Sequence, residues 1–354
     1  MRGNSRSKHD MMVERHGFAS DNTAPICPEA WAALQEANAD YAAAYGEDHW
    51  TGAVCDRVRE LFETDCDVYL VFTGTAANAL ALAQMCQSFR SIVSYQNAHI
   101  QTDECGAPEF FTGGSKLVLV SGENGKIDVG QADALLRRTS DLHSHKPGAM
   151  SISQATEFGT VYTRDEVAAI TELARANKLL VHMDGARFAN AVASLNCAPR
   201  TITWEVGIDV LCFGGTKNGI AAGELVIFFN KEISREFDYR VKQAGQLGSK
   251  TCFLAAPWLG LLDGGVWLQN AQHANRAAQQ LAQRLRRETK VEVVFPVEAN
   301  AVFVQMDNNL ASSLHARRWC FYKFIEPDVY RFMCSWATTE SDIGDFIRDV
   351  TLNH

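Results

Sequence analysis

Lys217 stands in the stretch Gly214-Gly215-Thr216-Lys217-Asn218-Gly219, directly after the apolar run Val210–Phe213. A lysine at the end of a buried strand can shed its proton and attack a carbonyl, forming a Schiff base. The same lysine can instead be a solvent-facing turn residue. The neighbouring glycines are expected to let a bulky ligand approach the backbone. A nucleotide loop is disfavoured, because Lys217 is followed by Asn218 rather than Ser or Thr. Asp184 closes the apolar run Leu179–Met183, where a carboxylate is costly unless it meets a cation. That cation is either the nearby Arg187 or a group bound in a crevice, such as the ring nitrogen of pyridoxal 5'-phosphate (PLP). Thr73-Gly74-Thr75-Ala76 joins a strand to a helix and offers free N–H groups to a phosphate, unless Thr75 is only an N-cap. His99 follows a short strand and can lie over a planar cofactor or act as a base. His143 and His145 are further polar candidates, and no third ligand nearby makes them a metal site. His182 reads as a packed core histidine. Arg331 opens Arg-Phe-Met-Cys-Ser-Trp and is either a bidentate carboxylate clamp or a surface ion-pairing group.

Strand and helix patterns alternate around these residues. Strands are expected at Val68–Phe72, Ser91–Tyr95, Lys116–Val120, Ala149–Ser153, Leu179–Met183, Val210–Phe213 and Leu225–Phe229. A helix should run from Ala76 to about Phe89. Thr163-Arg-Asp-Glu166 is a capping box that opens another, reaching about Asn177. Near-continuous apolar strands with helical crossovers predict a mostly parallel sheet covered on both faces. Ligands bind such sheets at the C-terminal ends of the strands, where the residues above fall. After about Leu262 a long amphipathic helix leads into fewer strands. The expected organisation is α/β: an N-terminal tail at 1–17, a large domain at 18–262 and a smaller C-terminal domain at 263–354.

The 354 residues carry a formal net charge of -9, which argues against bulk nucleic-acid or anionic-membrane partners. The longest apolar runs have strand length, not the length of a membrane span. Ten cysteines occur without a C-x-x-C pair, which points to a reduced, cytoplasmic protein and away from structural zinc.

Taken together, Phe18-Ala-Ser-Asp-Asn22, Ala44-Tyr-Gly-Glu-Asp48, Phe72-Thr-Gly-Thr-Ala-Ala-Asn78, Ala98–Gly106, His182-Met-Asp-Gly-Ala-Arg187, Phe213–Gly219 and Arg331–Trp336 carry a resemblance. The chain, from about Phe18 to its end, resembles the low-specificity L-threonine aldolases, PLP-dependent enzymes of the aspartate-aminotransferase fold (fold type I). The spelling around the lysine is similar to a proteobacterial branch that includes a phenylserine aldolase. The resemblance implies retro-aldol cleavage of β-hydroxy-α-amino acids to glycine and an aldehyde, with racemisation or β-elimination as the alternatives on this fold. It implies that Lys217 holds the cofactor, assisted by Thr216, and that Asp184 pairs with the ring nitrogen. His99 would stack on the ring, and Gly74, Thr75 and Ala76 would take the phosphate. Ser20, Arg187 and Arg331 would bind the substrate carboxylate. His143 would face the β-hydroxyl, and Tyr45 lies in a segment that would reach a neighbouring subunit's site. A homotetramer built from dimers is also implied. One departure stands out: Gln154-Ala-Thr-Glu157 replaces the Glu-Asn-Thr-His found in many members.

Overall fold

The computed structural model describes residues 17–138 and 141–352. Of the tail expected at 1–17, all but Gly17 lies outside the described residues. Seven strands form the large sheet: β1 (Asp67–Val71), β2 (Arg90–Tyr95), β3 (Lys116–Val120), β4 (Lys146–Ser153), β5 (Leu180–Gly185), β6 (Val210–Gly214) and β7 (Glu224–Phe228). Their spatial order is β1-β7-β6-β5-β4-β2-β3. β2 to β6 pair in parallel, and β7 runs antiparallel to both of its neighbours. The reversal follows from loop length. The link from Gly215 to Gly223 is too short for a helical crossover, which needs a dozen or more residues, so the chain must turn back. As a result, Glu224 at the start of β7 sits at the same sheet edge as the ends of the parallel strands.

Every residue of β6 and β7 is buried, consistent with strands covered on both faces. The helix Gly74–Met85 is buried nearly all round, from Ala76 through Met85. The capping box at Thr163 is formed in both directions, and its helix spans Arg164–Ala176.

A second sheet contains β8 (Glu292–Val293), β9 (Ala301–Gln305), β10 (Tyr322–Ile325) and β11 (Val329–Met333), in the order β10-β11-β9-β8 and antiparallel throughout. Phe18 reaches into its core, stacking on Trp319 and edge-on against Phe332 and Phe346. The backbone N–H groups of Phe18 and Met333 tie the two segments together, the first donating to Cys320 and the second to the carbonyl of Phe18. The residues that follow Phe18 are thereby fixed at the junction of the two sheets. Among the described residues, no helix is long and apolar enough to cross a membrane.

The glycines around Lys217 serve a different purpose from the one expected. A Cβ on Gly214 would lie 2.5 Å from the Ala186 carbonyl oxygen. One on Gly215 would lie 2.5 Å from both Ile220 Cδ1 and the Trp258 ring. The space is filled by protein rather than left for a ligand, and it draws the lysine turn against its neighbours. Gly215→Ala should therefore cost about 3 kcal/mol through overpacking, read as a lower urea midpoint with unchanged slope.

Candidate active site

A cavity of about 420 Å³ opens where the parallel strands end. Thr73, Gly74 and Thr75 line it from the end of β1, His99 from beyond β2, Asp184 from β5, and Thr216 and Lys217 from beyond β6. Asn22, Asn78 and Glu224 also face it.

Thr73 caps the helix Gly74–Met85, its hydroxyl accepting from Ala76 N–H at 3.2 Å. Ala76 N–H is therefore already used, and Ala76 does not line the cavity. The remaining first-turn N–H groups have no intrahelical acceptor, and a Cβ on Gly74 would meet nothing within 4 Å. This open, electropositive helix start suits a phosphate.

Asp184 is buried at the end of β5. Its Oδ2 accepts from Asn78 Nδ2 at 2.8 Å and its Oδ1 from Ala186 N–H at 2.9 Å. Burial opposes its charge, but His99, the Ala186 N–H and Lys217 outweigh burial and hold the carboxyl below its usual range. Asn78 also donates to Glu104 Oε1 at 2.8 Å, bridging two buried carboxylates. Glu104 Oε1 in turn meets His99 Nδ1 at 2.9 Å. This contact is the main reason that His99 favours its charged form, and it leaves Nε2 as the ring nitrogen open to a ligand. His99, Glu104 and Asp184 offer ligand atoms within 4.8 Å of one another. The Asn78 amide and the imidazole both meet Glu104 Oε1, whereas the buried Oε2 has no hydrogen-bond partner among the described residues. The backbone N–H of His99 donates to Glu157 Oε1 at 2.9 Å, and Ser153 Oγ donates to the same oxygen at 2.5 Å. The residue that departs from the usual Glu-Asn-Thr-His pattern thus braces the histidine segment.

Lys217 lies in a 3-10 turn, Thr216–Asn218. Burial lowers the affinity of its amine for a proton, and the Arg187 guanidinium lowers it further. A larger share of the amine is consequently neutral and nucleophilic near pH 7.

Arg187 is not a free clamp. Its Nε and Nη2 donate to the two oxygens of buried Asp21 at 2.7 and 2.8 Å, which leaves Nη1 for a ligand. Asn300 Nδ2 also donates to Asp21, at 3.0 Å. Ser20 caps the short turn Asp21–Thr23 beside this pair. Arg331 has a buried Nε with no hydrogen-bond partner, and its Nη2 makes only a long bond, 3.4 Å, to the Ala19 carbonyl. Burial, together with Arg187, pushes its guanidinium down to about 10. Among the described residues no carboxylate hydrogen-bonds to it, which suits an arginine that binds the carboxylate of a ligand.

Ser20, Ala76, Arg187 and Arg331 lie outside the lining of this cavity, and two further sequence candidates are placed away from it within the chain. His143 is exposed in a turn that precedes β4, at the opposite edge of the sheet. Tyr45 is half-exposed, with its backbone N–H on the Ser249 carbonyl and the Lys242 amine 4.4 Å from its ring centre. His182 is fully buried between Ser151 Oγ, 2.9 Å from Nδ1, and Cys212 Sγ, 3.3 Å from Nε2. Burial lowers it from 6.5 to about 4. Between those values the unfolded chain holds the proton and the folded one does not, so stability falls as pH drops through that window. Melting temperature should therefore decline from pH 6.5 toward 4, and His182→Gln should flatten part of the decline.

Asn78, Glu104 and Glu224 were not anticipated as site residues. A charged residue beside a wholly apolar run was the available signal for Glu224, the same one that exposed Asp184.

A profile of the β-eliminating lyase family matches residues 17–309. A low-specificity L-threonine aldolase from a Pseudomonas species is 51% identical over 340 residues, which is 96% of this chain and 98% of the relative. The Pseudomonas aeruginosa protein of that name is 51% identical over 335 residues, 95% of this chain and 97% of its own. Among solved structures, the Leishmania major threonine aldolase superposes with a TM-score of 0.90 at 26% identity, covering 96% of this chain and 99% of that one.

Proposed function

Because the chain belongs to the β-eliminating lyase family, we propose that it is a carbon–carbon lyase that cleaves L-β-hydroxy-α-amino acids, of the threonine and phenylserine type, into glycine and an aldehyde. The fold is that of the threonine aldolases and the wider PLP fold type I enzymes. Its cofactor is pyridoxal 5'-phosphate. The observation that carries the reading is one cavity holding a lysine amine, a buried charged carboxylate and an open helix start.

The residues present suit that cofactor. Lys217 would hold it covalently, Asp184 would face its ring nitrogen, His99 its ring, and Gly74 and Thr75 its phosphate. When bound, PLP supplies an electron sink for the pair left at the substrate Cα. Asp184 stays charged and so can keep a proton on the ring nitrogen. Arg331 and the free Nη1 of Arg187 bind the substrate carboxylate, which orients the bond to be broken. His99, fixed at Nδ1 by Glu104, can move a proton only through Nε2. Lys217, poised to shed its proton, can return one to Cα after cleavage.

His143 can face a β-hydroxyl only by entering the cavity of another copy. Its neighbour Leu142 is fully exposed, as is Tyr41 near Tyr45. Apolar side chains left in water beside both candidates support a homotetramer in which these segments meet partner subunits. The ten cysteines are all free, which supports a reducing, cytoplasmic setting.

The test is product analysis of the full-length protein with L-threonine, L-allo-threonine and L-phenylserine. Equimolar glycine and aldehyde are expected. D-isomers, or ammonia with a keto acid, would replace this reading with a racemase or an eliminating lyase.

A further inference from the structure

Glu224 is buried at the start of β7 and faces the cavity that holds Lys217. The mechanism above makes no use of it. Its Oε2 accepts from the Gly215 backbone N–H at 2.7 Å, and Thr216 lies close enough to help hold its charge. Gly215 and Thr216 are the two residues immediately ahead of Lys217. In the ladder, Gly214 is directly opposite Glu224, so the carboxylate spans the hairpin formed by β6 and β7. A turn this short cannot satisfy its own leading N–H groups, and a buried N–H without an acceptor is costly. Glu224 supplies such an acceptor to Gly215 from the next strand.

We propose that Glu224 is a positioning residue for Lys217: its carboxylate closes the Gly215–Thr216 turn, sets the direction of the lysine side chain, and places a negative charge in the amine's cavity. This rests on the reading that Lys217 holds PLP. The geometric basis is the Gly215 N–H bond across the hairpin. Other charges act on the amine as well: Arg187 opposes its protonation, while Asp21, Asp184 and Glu224 favour it. Burial pushes the Glu224 carboxyl up to about 6, so it is mostly charged at neutral pH. Removing its charge should make the lysine-bound cofactor release its proton at lower pH, and removing its acceptor atoms should leave the turn unclosed.

The experiment compares full-length wild type, Glu224→Gln and Glu224→Ala. Each is stripped of cofactor, mixed with PLP, reduced with borohydride at timed intervals and mapped by peptide mass. The pH midpoint of the visible band is measured in parallel. We expect Glu224→Ala to label at Lys217 about ten-fold more slowly or worse. Glu224→Gln keeps an acceptor for Gly215 N–H and should recover most of the rate, yet show a midpoint lowered by about half a unit or more. Wild-type rate and midpoint in both variants would overturn the proposal, and so would a Glu224→Gln that recovers none of the lost rate. If wild type itself gains no label at Lys217, the functional reading falls and takes this proposal with it; a labelled wild type with unchanged variants overturns the proposal alone.

Discussion

Lys217→Ala is expected to fold, to form no borohydride-stable adduct with PLP, and to lose about four orders of magnitude or more in cleavage rate. The size of the effect follows from chemistry that no other side chain in the cavity can perform. Thr216 and Cys212 cannot form and exchange an imine, and the Arg187 guanidinium stays protonated. The fold should survive because the amine has no hydrogen bond or ion pair among the described residues. Its partly buried position disfavours the ammonium form, the direction seen in its lowered proton affinity. Alanine removes that penalty, so the cofactor-free variant should melt at the same temperature as wild type or higher. Two measurements check this: the glycine released per enzyme, and the visible spectrum after gel filtration. Residual activity within ten-fold of wild type would remove Lys217 from the centre of the mechanism.

The strands around Lys217 and Asp184 were legible because a strand covered on both faces must be apolar throughout, and Val210–Phe213 and Leu225–Phe229 read that way. Their ends shifted by one residue in the structure, to Gly214 and to Glu224–Phe228. The direction of β7 follows from the shortness of the Gly215–Gly223 link, whereas the apolar run by itself carries no direction. β10 escaped because Tyr322 and Lys323 are exposed, which leaves no apolar run to notice. Asp184 announced itself as a carboxylate ending an apolar strand, and Glu224 opens one under the same rule. Partnerships were a different matter. Asp21 and Arg187 are far apart in sequence, and only the docking of Phe18 into the second sheet brings the Asp21 turn to the arginine. The same holds for Asn78, whose two amide bonds join carboxylates from separate segments. The glycines misled for a related reason: composition says that space is needed, whereas only the packed structure says that Trp258 and Ala186 occupy it.

Arg331→Leu should move stability and activity in opposite directions. The guanidinium is partly buried, its Nε has no acceptor, and burial, with Arg187 adding to it, depresses it to about 10. Asp21, which with Asp103 is one of two carboxylates whose charge reaches Arg331, is already engaged by both Arg187 and Asn300. Its contact with the Phe324 ring, 5.3 Å from the ring centre, is worth about 1 kcal/mol and does not offset a desolvated charge. Leucine keeps the apolar stem and deletes the charge, so the ligand-free variant should gain about 1 kcal/mol or more. For the substrate the balance reverses. A carboxylate entering beside Arg331 finds a cation that has already been stripped of water, and losing one partner of such a pair costs roughly 2–5 kcal/mol. That translates into kcat/KM reduced by about 30-fold to a few thousand-fold, carried mainly by KM if the carboxylate contact is equal in ground and transition states. Urea unfolding of the cofactor-free protein and steady-state kinetics on L-threonine measure the two halves. A variant that loses both stability and activity would mean that Arg331 is an ordinary structural ion, with its anion somewhere other than on the substrate.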